Sequence, residues 1–280
     1  MIPLNTLLFS KYEQKIVQLE DKSVDLILCD LPYGTTKNKW DTPIDLSFFW
    51  KQCERIIKDR GVIILTAQTP FDKVLGASNL KLLKYELIWE KSMATGHLNS
   101  KFAPLKKHEN ILIFSKSAGA FVRNKDNAMV YNPQMTKGKA YTCRNGRAST
   151  NYDHKNYTQV VTENKGERYP VSIIKFNHDK DKLHPTQKPV MLFEYLIKQY
   201  TNKGDIVLDM CAGSGTTAIA SINTGRNWIC IESDGKYFEI AKKRIEEHSQ
   251  QSTLLPLAEN SKEDGIPPTN ELVGILPKII

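Results

Sequence analysis

The 280-residue sequence predicts an α/β protein in which a mainly parallel, twisted sheet carries helices on both faces. Three observations predict it. Apolar runs of strand length recur along the chain, stretches of helical periodicity separate them, and acidic or glycine-bearing turns follow several of the runs. The runs show no polar alternation, which suits strands covered on both faces.

In chain order, strands are expected at 24–29 (VDLILC), 61–66 (GVIILT), 85–89 (YELIW), 110–114 (NILIF), 205–210 (DIVLDM) and 227–231 (NWICI). Helices are expected at 46–58, 70–78, 189–200, 216–223 and 235–247; the last sets Tyr237, Ile240, Ala241 and Ile245 on one face. The pattern breaks between Ser115 and Leu183, in a stretch rich in Asn, Lys, Gly, Tyr and Thr that is too long for a simple connection. The expected organisation is therefore residues 1–115 and 183–248 as two parts of one domain, 116–182 as an insertion, and 249–280 as a tail.

Charge singles out the insertion. The chain holds 39 Lys+Arg against 31 Asp+Glu, a net of +8, and residues 116–182 hold thirteen basic against six acidic residues, a net of +7. An anionic polymer is the partner such a patch suggests. Five scattered cysteines without a C-x-x-C pair, and six histidines without an H-x-x-x-H pair, point away from a disulfide framework and from a metal site. No apolar run approaches the ~18 residues of a membrane span. The N-terminus lacks the pattern of a signal peptide, so a cytoplasmic location is expected.

Two constellations carry chemistry. Asp209-Met210-Cys211-Ala212-Gly213-Ser214-Gly215-Thr216-Thr217 closes a predicted strand and opens a helix, and Glu232 ends the next strand. Glycines in such a turn let backbone N–H groups approach a ligand, and the acid can hold ribose hydroxyls, so a nucleoside-containing cofactor is expected. The Gly-Lys-Ser/Thr ending of a phosphate loop is missing. The second constellation, Asp30-Leu31-Pro32-Tyr33-Gly34, follows VDLILC directly. Asp30 then lies at the carboxyl edge of the sheet, Pro32 holds Leu31 extended, and Tyr33 offers a flat face for stacking.

Asp-Leu-Pro-Tyr resembles the Asp-Pro-Pro-Tyr signature of amino-group DNA methyltransferases, and 209–217 resembles their S-adenosylmethionine loop. The order, with the target motif first and the cofactor motif last, is similar to the circularly permuted β class. Trp89-Glu90-Lys91, Lys107 to Ser115 (KHENILIFS) and His184-Pro185-Thr186-Gln187-Lys188-Pro189 extend the likeness. Asp30 to Phe114 is most similar to phage and prophage adenine methyltransferases.

The resemblance implies a Rossmann-like methyltransferase fold and methylation of adenine N6 in double-stranded DNA, with cytosine N4 as the alternative and a DNA-binding pseudoenzyme as a rival of another class. Methylation of RNA or of a protein amide is a third possibility, disfavoured by the motif order and the basic insertion. Asp30, Leu31, Pro32 and Tyr33 would hold the flipped base. Asp209, Cys211, Ala212, Gly213, Ser214, Gly215, Thr216, Glu232 and Ser233 would hold the cofactor, with Thr186 and Lys188 at its methionine end. Arg123, Lys137, Lys139, Arg144, Arg147, Lys155 and Arg168 would contact DNA. A homodimer and a companion restriction endonuclease are further partners it implies. Leu31 replaces the family's first proline and Met210-Cys211 its Pro-Phe. The family's acid on the N-terminal strand is absent, with Asn5 as a substitute; Trp40 and His184 would be structural or line the substrate.

Overall fold

All six predicted strands lie in one eight-stranded sheet. In the computed structural model, which describes residues 2–34, 42–118, 125–145, 160–180 and 183–254, the chain begins β1 (Thr6–Phe9), α1 (Tyr12–Ile16), β2 (Val24–Asp30) and α2 (Leu46–Ile56). Next come β3 (Ile57–Ala67), α3 (Phe71–Ser78), β4 (Leu83–Thr95) and β5 (Lys106–Ser115). The short strands β6 (Thr136–Lys137), β7 (Tyr141–Asn145), β8 (Val160–Asn164) and β9 (Glu167–Arg168) follow. The chain closes with β10 (Ile173–Phe176), α4 (Val190–Tyr200), β11 (Ile206–Asp209), α5 (Thr216–Thr224), β12 (Asn227–Glu232) and α6 (Gly235–Leu254).

The sheet order is β1-β12-β11-β2-β3-β5-β4-β10, parallel except where β5 runs against β3 and β4. Strand β2 is central, which explains its continuous apolar run. Its Ile27 and Cys29 pack with Phe49, Trp50, Cys53 and Ile56 of α2; its Leu26 and Leu28 face Leu192, Leu196 and Tyr200 of α4. Beside them, Ala218 and Ile219 of α5 join Trp228 and Cys230 of β12 and Ile245 of α6.

Helix boundaries follow local chemistry. The Asp45 side chain caps α2 by accepting from the N–H groups of Ser47 and Phe48 at 2.9 and 3.2 Å. The helix stops at Ile56, two residues earlier than expected, because Ile57 is already extended and enters β3 without a loop. Helix α6 runs on to Leu254, inside the expected tail, since no proline occurs before Pro256. Strands β1 and β10 and the short α1 have no counterpart in the sequence reading; each is five residues or shorter.

The described residues divide into two compact units, one within 2–132 and 171–254 and one within 133–170. The expected insertion was wider. Its flanks join the sheet-bearing unit: the Asn132 N–H donates to the Gln199 carbonyl at 2.7 Å, and β10 pairs with β4. In the second unit, β6 pairs with β9 and β7 with β8, both antiparallel. The Arg168 guanidinium stacks 4.6 Å from the Tyr141 ring centre and donates to Asn164 Oδ1 at 2.6 Å and to the Lys139 carbonyl. Among the described residues no helix is long and apolar enough to cross a membrane, and no cluster of side chains suits a metal ion.

Candidate active site

Three neighbouring parallel strands, β12, β11 and β2, each end on an acid: Glu232, Asp209 and Asp30. Open α/β sheets present ligands at this carboxyl edge. A cleft of about 480 Å³ opens there. Of the predicted cofactor and target residues, Asp30, Leu31, Pro32, Tyr33, Thr186, Lys188, Asp209, Cys211, Ala212, Gly213, Ser214, Thr216, Glu232 and Ser233 all line it.

On the β11 side, Asp209 organises the turn. Its carboxylate accepts from the Cys211 N–H at 2.9 Å and the Thr217 hydroxyl at 2.5 Å. Burial pushes its pKa up to about 6 against these hydrogen bonds. Gly213 has φ +53°, and its N–H donates to Glu232 Oε2 at 2.8 Å, while the Asp234 N–H reaches Oε1 at 2.7 Å. Burial raises the Glu232 pKa, and backbone donors oppose it. Backbone donors on Gly213, Asp234 and Ser233 take three of the roughly four acceptor sites of the Glu232 carboxylate.

Gly215 is the predicted site residue that does not line the cleft. It caps α5 at φ +79°, and a Cβ there would stand 3.2 Å from Ile245 and 3.3 Å from Ala241. Its lack of a side chain serves the approach of α6. From α6, Arg244 donates to the Ser214 carbonyl and to the Thr216 hydroxyl, both at 3.1 Å, and so ties the turn to the helix.

On the β2 side, Asp30 Oδ1 accepts from the Tyr33 and Thr66 hydroxyls, and Oδ2 meets Lys188 Nζ at 2.6 Å. Lys188 is buried and also faces Glu109 Oε2 at 3.3 Å; Glu109 Oε1 pairs with Lys91 at 2.8 Å and accepts from Gln68 at 2.9 Å. Burial pushes the Glu109 carboxyl up, but Lys188 and Lys91 outweigh it and hold the pKa below its ordinary value. Burial likewise lowers Lys188, and Asp30 and Glu109 reverse this, so its ammonium is held above the ordinary lysine range. Lys188 therefore sits in the target-side network. Its ammonium is engaged by Asp30 and Glu109 at the cleft wall.

Thr66, Gln68, Lys91 and Glu109 were missed as site residues. The signal for two of them was present: Lys91 and Glu109 sit in WEK and KHENILIFS, where a charged residue adjoins a buried strand. The Tyr33 ring lies 5.2 Å from that of Phe71, which supports one of its faces. Thr186 is exposed, with its hydroxyl 3.0 Å from His184 Nδ1, and the His184 ring packs 4.1 Å from Tyr237. Burial lowers the His184 pKa.

Asn5 does not take the place of the missing acid. Parallel pairing sets Thr6 beside Ile229 and Phe9 beside Glu232, so Asn5 lies at the opposite edge, where its Oδ1 accepts from the Trp228 N–H. Closer to the cleft, α1 contributes Tyr12, whose buried hydroxyl has no hydrogen-bond partner among the described residues, and Glu13. Lys137, Lys139 and Arg144 are exposed on the second unit, whereas the Arg168 guanidinium is engaged within that unit. Arg123, Arg147, Lys155 and Trp40 lie outside the described residues, as does the chain beyond Leu254.

A mainly parallel sheet with a glycine turn, a ribose-type acid and an Asp-Leu-Pro-Tyr corner on one edge defines a nucleoside-dependent transferase site. The DNA methylase family of N6 and N4 methyltransferases matches residues 24–243, and the chain belongs to it. Its methyl donor is S-adenosylmethionine. The chain is 28% identical over 262 residues to the type II methyltransferase M.HpaI of Haemophilus parainfluenzae, covering 86% of this chain and 74% of that protein. It is also 28% identical over 252 residues to the DNA adenine methyltransferase YhdJ of Escherichia coli K12, covering 85% and 81%. The fold matches the crystal structure of an M1.HpyAVI–SAM complex with a TM-score of 0.54 and 23% identity, over 85% of this chain and 98% of that one.

Proposed function

We propose that this chain methylates N6 of an adenine flipped out of duplex DNA. One observation carries the reading: the Asp30 carboxylate and the Leu31–Pro32–Tyr33 corner open onto the same cleft as the glycine turn after β11. Exocyclic nitrogen is a poor nucleophile because its lone pair is delocalised into the ring. Two acceptors, one on Asp30 and one on the Leu31 carbonyl, would take its two N–H bonds and favour a tetrahedral nitrogen. A carboxylate has about four acceptor sites, and Tyr33, Thr66 and Lys188 take three on Asp30. One remains for the amino group. Positioning and electrostatics would supply the catalysis.

The residues present fit the methyl donor. Glu232 keeps an acceptor site for a ribose hydroxyl, Gly213 adds no side chain to the cleft, and the unpartnered Tyr12 hydroxyl lies beside them. When bound, S-adenosylmethionine supplies a methyl carbon whose bond to sulfur breaks, leaving its electron pair on sulfur, as the bond to N6 forms. The Asp30 carboxylate stands to receive the proton that N6 then loses. Tyr33 would stack on the flipped base, and Thr186 would lie at the methionine end.

Adenine is favoured over cytosine N4 because Asp30, not Ser, opens the motif, and because YhdJ is named as an adenine enzyme. Lys137, Lys139 and Arg144 support DNA contact by the second unit; Arg168 supports that unit from within. Likeness to M.HpaI supports a place beside a companion restriction endonuclease in the cytoplasm of a bacterial or phage-infected cell, and a homodimer suits the resembled class. The test is transfer of labelled methyl from S-adenosylmethionine. The proposal expects label in unmethylated duplex DNA from the wild type. Cofactor binding without transfer to any DNA would show a binding protein instead.

A further inference from the structure

We infer that the hairpin joining β4 to β5 is a DNA-inserting arm beside the active site. The inference rests on the DNA-methylating reading. Lys91 on β4 and Glu109 on β5 form the base of this hairpin and reach Asp30 through Lys188. Strand β4 runs parallel to β3 and β2 in the sheet, so the hairpin leaves from the same edge as Asp30. Four residues of strand at ~3.3 Å each carry Thr95 about 13 Å beyond Lys91.

The tip is built, and what it displays is unusual. Gly96 turns the chain at φ +91°, His97–Asn99 form a single 3₁₀ turn, and the N–H groups of Phe102 and Ala103 close onto the Asn99 carbonyl at 2.9 and 3.0 Å. On this frame Leu98 is 98% exposed, Phe102 88% and Met93 70%. Residues 92–107 carry three lysines and no carboxylate. Lys107 pairs with Glu90 at 3.1 Å, while Lys101 and Lys106 are exposed.

Large apolar side chains surrounded by cations alone suit a polyanion with stacking faces. Duplex DNA is that partner: phosphates would face Lys101 and Lys106, and Leu98 or Phe102 would press on a base step opened by flipping. A second copy of this chain would bring like charge against like at the tip.

Two variants test the arm: Leu98→Ser with Phe102→Ser, and Lys101→Gln with Lys106→Gln. The apolar variant is expected to lose about tenfold in kcat/KM on unmethylated plasmid DNA, with its Kd for S-adenosylmethionine unchanged. The charge variant is expected to flatten the plot of log affinity for that DNA against log salt by about 2, one for each lysine. Wild-type kcat/KM and salt slope in both variants would overturn the inference, as would an effect confined to self-association in sedimentation. Absence of methyl transfer by the wild type would fail the functional reading alone, since the salt slope still reads the arm.

Discussion

The Lys188 ammonium bridges Asp30 and Glu109, 2.6 Å from the first carboxylate and 3.3 Å from the second. Lys188 comes from the segment before α4, Asp30 ends β2, and Glu109 lies on β5, so one buried cation joins three separate parts of the fold. Removing any member leaves charges in a site with little water to compensate them.

For Glu109→Gln, the expected cost is ~3–5 kcal/mol of stability at neutral pH, since Lys91 and Lys188 lose their shared counter-charge. The Glu109 pKa is depressed, so its contribution is present above the ordinary value of 4.5 and fades as pH falls through the lower folded value. Denaturant titrations should show the wild-type advantage shrinking in acid. Turnover should fall while the affinity for S-adenosylmethionine holds, and Glu109→Asp should recover part of it.

Asp209 has the opposite sign. Its folded pKa is raised from 3.8 to about 6, which corresponds to about 3 kcal/mol. Stability relative to Asp209→Asn should therefore rise as pH falls from 7 to 4. A flat difference across that range would show that the carboxylate is not held as described.

The two loop glycines should separate. Gly215→Ala combines φ +79° with contacts of 3.2 and 3.3 Å to α6, whereas Gly213→Ala meets only His184 at 3.8 Å. Melting should show Gly213→Ala costing about 1 kcal/mol from its left-handed backbone and Gly215→Ala more. Calorimetry should show weaker cofactor binding for both.

Asp30→Ala should lower turnover by about 10²–10³-fold, as expected when a group that stabilises the transition state is removed. The variant should still bind S-adenosylmethionine, because the contacts of Glu232 and Gly213 do not involve Asp30. Wild-type turnover would mean that another carboxylate directs the chemistry.

Much of this site was legible in the sequence because its acids follow apolar runs. VDLILC, DIVLDM and NWICI become adjacent parallel strands, so Asp30, Asp209 and Glu232 converge on one edge. The Lys188–Glu109 bridge was not legible, since it joins residues 79 positions apart, one read as a cofactor contact and the other in a motif with no assigned role. Gly215 shows a different limit: a motif glycine can face either the ligand or a packing helix, and only the position of α6 decides. The short β1 and β10 gave too little pattern to detect. They form the two edges of the sheet, where pairing with β12 and β4 supplies the order that local sequence does not.

The most direct test is the identity of the product. Unmethylated duplex DNA incubated with the protein and S-adenosylmethionine is digested to nucleosides, and the methylated species is identified by mass and retention against standards. N6-methyladenine is the expected product, lost in Asp30→Ala. N4-methylcytosine would contradict the assignment of the base, and no methylated nucleoside from any duplex tested would contradict the account as a whole.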